Sequence, residues 1–272
     1  MNCATSSPMS RPSTTDALRR LVGASLWLLV VSPLASHDLL AADLPRGECS
    51  APAAATDLRH CTLQGRKLVG ADLRGADLRG VDLSNADLSA ADLSDADLRE
   101  ADLRWTKLHD SRLTDAELSR ADMFHVVADS ANLDGARLFR TNLFGALLNG
   151  VRARDADFTH AYMKDVELEE ADLSGAVLRR VNLLRMVAIG TTFRGADLSY
   201  SQMTGAAASD ADFSDARLRR AHLNGADLQR ARFTGADMRG LNLANARVDD
   251  AIDLADPSPS GAPDAATTAA GD

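Results

Sequence analysis

From Cys61 to Asp250 the chain repeats one pattern: a small apolar residue, a polar one, a large apolar one, then two small or polar residues. The large position runs Leu63, Leu68, Leu73, Leu78 and onward to Phe233, Met238, Leu243 and Val248, about 38 repeats without an insertion or deletion. A period of five suits neither regular element. A helix turns about 100° per residue, so successive large residues would lie some 140° apart and no apolar face would form. A continuous strand fails as well, because an odd period sends successive large residues to opposite faces. The pattern closes when small-polar-large is a short extended unit pointing in, out, in, and the next two residues turn a corner. Gly65, Gly70, Gly75, Gly80, Gly135, Gly145, Gly150 and Gly175 all stand at the second corner position, where a tight turn favours them.

Large residues give the number of sides. Phe193, Phe213 and Phe233 are large centres spaced by 20, and Phe124 and Phe144 are corner residues with the same spacing, so four five-residue sides would stack each set. Volume compensation agrees: the undersized centres Ala153, Ala188 and Ala208 are followed at the next centre by Phe158, Phe193 and Phe213, as a core of constant volume requires. Ala128, followed by Leu133, does not compensate. With these residues in place, the tandem Ala-(Asp/Asn)-Leu-X-X resembles the pentapeptide-repeat family over roughly Cys61 to Asp250. The resemblance implies an all-β fold, a right-handed quadrilateral β-helix. About 38 repeats make about nine to ten four-sided coils, a solenoid on the order of 45 Å long at ~4.8 Å per coil.

The two ends differ from the repeats. Residues 1–42 read as an export signal: Arg11, Arg19 and Arg20 precede the apolar run Leu21–Ala35, and small residues follow at Ser36 or Ala41-Ala42. The run is short of the ~20 residues that span a bilayer, so a retained anchor is the lesser reading and no membrane span is expected in the mature chain. Residues 43–60 are expected to cap the first coil, residues 61–250 to form the solenoid, and residues 251–272, rich in Pro, Ala, Ser and Thr, to be disordered. Asp249 to Ala255 is the candidate cap at the far end. Export makes Cys49 and Cys61 a disulfide candidate in a periplasmic or secreted protein, two free thiols being the rival.

Composition leaves little room for chemistry. Aromatic residues make up 4% of the chain, and Ala and Leu fill the interior. His60, His109, His125, His160 and His222 are scattered and form no nucleophile or metal pattern, so no catalytic residue, no metal site and no cofactor is expected. The Asp columns (Asp72 and Asp92; Asp77 and Asp97; Asp82, Asp102 and Asp122) read as a solvated face paired with Arg74, Arg79, Arg99 and Arg104.

Specificity therefore falls to the outward positions. One side carries Arg79, Arg99, Arg120, Arg140, His160, Arg179, Arg180, Arg219, Arg220 and Arg239 at its corner, a basic stripe on a chain of net charge -9. The next corner round carries Phe124, Val127, Phe144, Leu147, Leu184, Val187 and Ile189, interrupted by Lys164, Asp165 and Glu167. An exposed apolar column marks a contact surface, for an unidentified protein or a second copy in a homodimer. The stripe is either a self-balanced ladder or a surface for an anionic partner; no nucleic-acid partner is expected. The favoured function is a non-catalytic exported scaffold that binds proteins through its outer faces. Its alternative comes from the family: an acidic, DNA-like regulator of a DNA-binding enzyme such as gyrase, of the kind linked to quinolone resistance. Net charge favours that alternative, while the export signal and the arginines oppose it.

Overall fold

The computed structural model describes residues 44–254. Parallel β-bridges join each outward residue to the one 20 positions later, from Asp57 with Asp77 to Arg232 with Ile252, so four repeats complete one coil. The sides hold single bridges and no longer strands, because a two-residue corner interrupts the extended backbone after every third residue. The ladder is already present at Asp57, and Leu58 is fully buried, one repeat before Leu63.

One repeat accounts for all five of its backbone N–H groups. The Leu78 amide donates to the Asp97 carbonyl at 2.8 Å, the Asp97 amide to Ala76 at 2.9 Å, and the Gly80 amide to Arg99 at 2.9 Å; these bonds tie coil to coil. The Val81 amide closes the corner on the Leu78 carbonyl at 3.1 Å. That leaves the first corner residue, and here the Asp of Ala-Asp-Leu acts: the Arg79 amide donates to Asp77 Oδ1 at 3.3 Å, as Ser84 does to Asp82 at 2.9 Å and Ser94 to Asp92 at 3.1 Å. Asn serves equally, as Asn142 does for the Phe144 amide. The outward Asp or Asn is thus an Asx-type turn former.

The second corner residue has positive φ from Gly65 through Asp250 at every fifth position, including many that are not glycine, among them Trp105, Glu100, Arg140 and Tyr200. Such a corner costs a side-chain-bearing residue about 1 kcal/mol or more, which the coil-to-coil bonds on both sides of it must offset. Gly145 has a further reason to be glycine: a Cβ there would lie 2.5 Å from His125 Cε1 of the coil before. At Gly75 nothing lies within 4 Å.

Inside, the centres form one continuous apolar column and the small residues fill between them, each buried Leu contributing about 1.5–3 kcal/mol. The rings of Phe193, Phe213 and Phe233 stack in parallel at 5.0 and 5.2 Å. Ala153, Ala188 and Ala208 are fully buried beside the bulky centres that follow them. Where Ala is replaced by Thr, the buried hydroxyl bonds a carbonyl: Thr106 to Leu83 at 2.9 Å and Thr141 to Leu118 at 2.9 Å. At the C-terminal end Met238 and Leu243 are half-buried and Val248 is 37% exposed, since no later coil covers them among the described residues.

Ahead of the first coil, Arg46 bridges Asp57 and Glu48 bridges Ala51, and a Cys49–Cys61 disulfide with Cα atoms 5.3 Å apart ties this segment to the coil. Among the described residues no helix is long and apolar enough to cross a membrane. The proposed export signal and nearly all of the C-terminal tail lie outside the described residues.

Candidate functional site

The basic stripe divides into two halves. In the N-terminal half each arginine has a carboxylate: Arg79 meets Asp77 at 2.6 Å, Arg99 meets Asp97 at 2.6 Å, and Arg120 meets Glu100 at 3.3 Å. Elsewhere on the solenoid, Arg74 grips Asp72 through two hydrogen bonds and holds its carboxyl down at about 2, and Arg59 does the same for Asp57. Further along the stripe the pairing loosens or stops. Arg179 and Arg219 reach Asp197 and Asp237 only at 3.7 and 3.9 Å, and Arg239 holds Asp237 at 2.6 Å. Arg140, Arg180 and Arg220 meet no carboxylate among the described residues; they lie against rings instead. Arg140 sits 5.1 Å from the centre of the Phe139 ring, and Arg180 and Arg220 flank the Tyr200 ring at 5.7 and 5.9 Å. His160 adds an edge-on contact to Phe139.

These arginines border a side whose outward residues change character along the solenoid. Asp82, Asp102 and Asp122 occupy it first, then Asn142, Tyr162, Asn182, Gln202, His222 and Asn242, each bridged to the next. The stretches 139–145, 159–165, 179–185, 199–205, 219–225 and 239–245 make up this later part and its two corners. They hold eight Lys and Arg against a single carboxylate, Asp165. Asp165 is taken by Arg185, which donates to it at 2.7 and 2.6 Å and lowers its pKa through those bonds.

The opposite corner of the same side is aromatic. Phe124 and Phe144 stack at 5.5 Å, and Tyr162 continues the stack at 6.0 Å. Trp105 lies flat on His125 at 4.5 Å, while Phe124 packs edge-on against both at 5.6 and 4.3 Å. Lys164 covers part of Phe144, 5.8 Å from the ring centre. Val127 and Leu147 bridge side by side on the adjoining side, and Glu167 separates Leu147 from Val187. Leu184 and Val187 are half-buried, and Ile189 stands exposed one corner further round. The apolar column thus centres on Phe124, Phe144, Val127 and Leu147, with Leu184, Val187 and Ile189 beyond a charged break. Trp105, His125 and Tyr162 belong to the cluster although they stand outside the apolar column expected from the sequence; Trp105 is 53% and Tyr162 41% exposed. Their signal was the step of 20 from Trp105 to His125 and from Asn142 to Tyr162.

The family follows from the repeats themselves. The sequence pattern described as "Pentapeptide repeats (8 copies)" matches residues 56–95, 86–123, 101–143, 136–175, 171–215 and 211–250. The chain belongs to the pentapeptide-repeat family. Among solved structures, this pentapeptide-repeat protein is similar to QnrB1, a plasmid-mediated fluoroquinolone resistance protein, at 20% identity over 74% of this chain and 92% of that one, with a TM-score of 0.54. That likeness shows the fold alone. It is also similar to HetL from the cyanobacterium Nostoc, a pentapeptide-repeat protein involved in heterocyst differentiation regulation, at 27% identity over 70% of this chain and 89% of that one, with a TM-score of 0.48. No curated protein sequence matches it.

Two histidines of this pentapeptide-repeat protein lie near a cysteine or a carboxylate. His60 Nε2 lies 3.7 Å from Cys61 Sγ, and Cys49, His60 and Cys61 offer ligand atoms within 4.8 Å of one another. The capping segment brings Cys49 to this corner. Both sulfurs are joined in the disulfide here. His109 Nδ1 lies 3.7 Å from Asp129 across one coil, on the surface.

Proposed function

We propose that this pentapeptide-repeat protein is an exported, non-catalytic scaffold, a right-handed four-sided solenoid that holds a protein partner at the aromatic corner. The observation that carries this reading is the cluster of Trp105, Phe124, His125 and Phe144 on the outside of a chain otherwise sparing with rings. Of the remaining aromatic residues described, Tyr162 extends the stack from Phe144; Phe158, Phe193, Phe213 and Phe233 are core, and Phe139 and Tyr200 lie against arginines. A surface cluster of this kind suits the anchor residues of a protein interface. The interior, filled by Ala and Leu without a cavity of converging polar groups among the described residues, suits binding better than catalysis.

The test replaces Phe144 by Ser and Leu147 by Asp together. Neither side chain points into the core, so the variant is expected to stay folded, its melting temperature lowered only by the lost stacking of Phe144 on Phe124 and Tyr162. Loss of self-association in light scattering, or of a crosslink formed by a photoreactive residue at position 124, supports the reading. An unchanged mass and an unchanged crosslink would exclude this corner and leave the arginine edge as the better surface. The net charge of -9 favours the rival, an acidic nucleic-acid mimic. Eight Lys and Arg against one carboxylate along one side oppose it. Fractionation with N-terminal sequencing separates the two: an uncut chain confined to the cytoplasm would revive the mimic.

A further inference from the structure

We propose that the side running from Asn142 to Asn242, with its arginine edge, binds a linear acidic polysaccharide carrying a carboxylate on alternate sugar rings. The first ground is charge. On a chain of net charge -9 this side alone is strongly positive, and its one carboxylate is already engaged by Arg185. Arg140, Arg180 and Arg220 keep their guanidinium groups free of carboxylates among the described residues, whereas Arg74, Arg79, Arg99 and Arg104 are all satisfied within their own repeat. An unsatisfied planar fork matches a carboxylate in two-point geometry.

The second ground is spacing. Arg140, Arg180 and Arg220 recur at every second coil, roughly 9.6 Å apart at ~4.8 Å per coil. That interval suits a polymer with one negative charge per two sugar rings. A nucleic-acid strand, with a phosphate about every 3.4 Å, would leave most of its charges unmet there.

The third ground is the side itself. Asn182, Gln202, His222 and Asn242 are polar side chains in bridged register, carrying the donors and acceptors that hydroxyl groups need. Gln202 and His222 are exposed and make no side-chain hydrogen bond among the described residues. The exposed rings of Tyr162 and of Tyr200, the latter held between Arg180 and Arg220, offer apolar C–H surface along the path of a pyranose chain. A polymer lying along the solenoid would run parallel to all three features. This inference does not depend on a protein partner at Phe144, which occupies the opposite corner.

The experiment titrates the full chain with hyaluronan oligosaccharides, which alternate a uronate with a neutral sugar, by calorimetry at low and moderate salt. Binding is expected, weakening as salt rises. Arg180→Gln with Arg220→Gln is expected to weaken it at least about tenfold, one charge-assisted contact being lost at each site. Both arginines are exposed, and an unaltered melting curve verifies the fold of the variant. Arg74→Gln, at a corner that does not border this side, is expected to bind as the parent does. Tyr200→Ala is expected to weaken binding without changing its salt dependence. Absence of hyaluronan binding, equal binding of neutral dextran, or full affinity in the double arginine variant would each overturn the proposal. Tighter binding of an oligothymidylate through the same arginines would overturn it in favour of a nucleic-acid surface.

Discussion

Phe213→Ala tests the packing of the interior most directly. The Phe213 ring is fully buried between Phe193 and Phe233, at 5.0 and 5.2 Å, and the preceding centre, Ala208, is too small to refill the space. Removing a buried phenyl ring costs about 3–5 kcal/mol, and two stacked contacts of ~0.5–1.5 kcal/mol each are lost with it, so the upper part of that range is expected. In a solenoid each coil contacts only its neighbours, so the loss should be local before it is global. Urea unfolding gives the magnitude and hydrogen exchange gives the place. The amides of Leu218, Leu223 and Leu228, which bond forward to the next coil, should lose protection first, while Leu78 to Leu103 keep theirs. Volume compensation supplies an internal control. Ala208→Leu in the parent should overpack and destabilise by about 1–3 kcal/mol, yet recover part of the loss in the Phe213→Ala background. If Phe213→Ala unfolded at the same urea concentration as the parent, and Leu118→Ala in the middle of the solenoid did too, the inward assignment of the centres would be refuted.

Two further outcomes are expected. Gly75→Ala, with open space around the new methyl group, should cost about 1 kcal/mol through the positive φ alone, whereas Gly145→Ala must also displace His125 and should cost clearly more in a thermal melt; equal effects would refute the His125 contact. Material from an oxidising compartment should carry the Cys49–Cys61 bridge, contributing about 2–3 kcal/mol for so short a loop and protecting mainly the capping segment. Mass spectrometry reads it, and two alkylated thiols without prior reduction would rule it out.

The 20-residue coil was legible in the sequence because bulky residues cannot hide: Phe193, Phe213 and Phe233 must stack somewhere, and only four sides stack them. The role of the outward aspartate was not. Periodicity tells which way a side chain faces, but the Asp77 bond to the Arg79 amide emerges only when each N–H of the repeat is assigned a partner. The surface was half legible. Phe124, Phe144, Val127 and Leu147 follow from the steps of 20, while Trp105 and His125 sit at second corner positions, which the turn geometry assigns to glycine. Likewise the arginines were counted as one stripe. What separates Arg79 from Arg180 is a carboxylate in hydrogen-bonding reach, a matter of pairing across and within coils that a list of positions does not contain.

The fixed four-repeat coil also governs how such a gene can change length. Loss or gain of a single five-residue unit between Arg140 and Arg180 would leave the amide ladder continuous, each repeat making the same bonds, but would rotate every later residue by a quarter turn and move Arg180 and Arg220 off the edge they share with Arg140. Loss or gain of 20 residues would change the height by one coil, about 4.8 Å, and leave every column in line. The interior would accept either event, since each side offers the core the same small and large residues. Inheritance of a functional side is therefore quantised in whole coils, even though the fold itself is built in quarter-coil units of five residues.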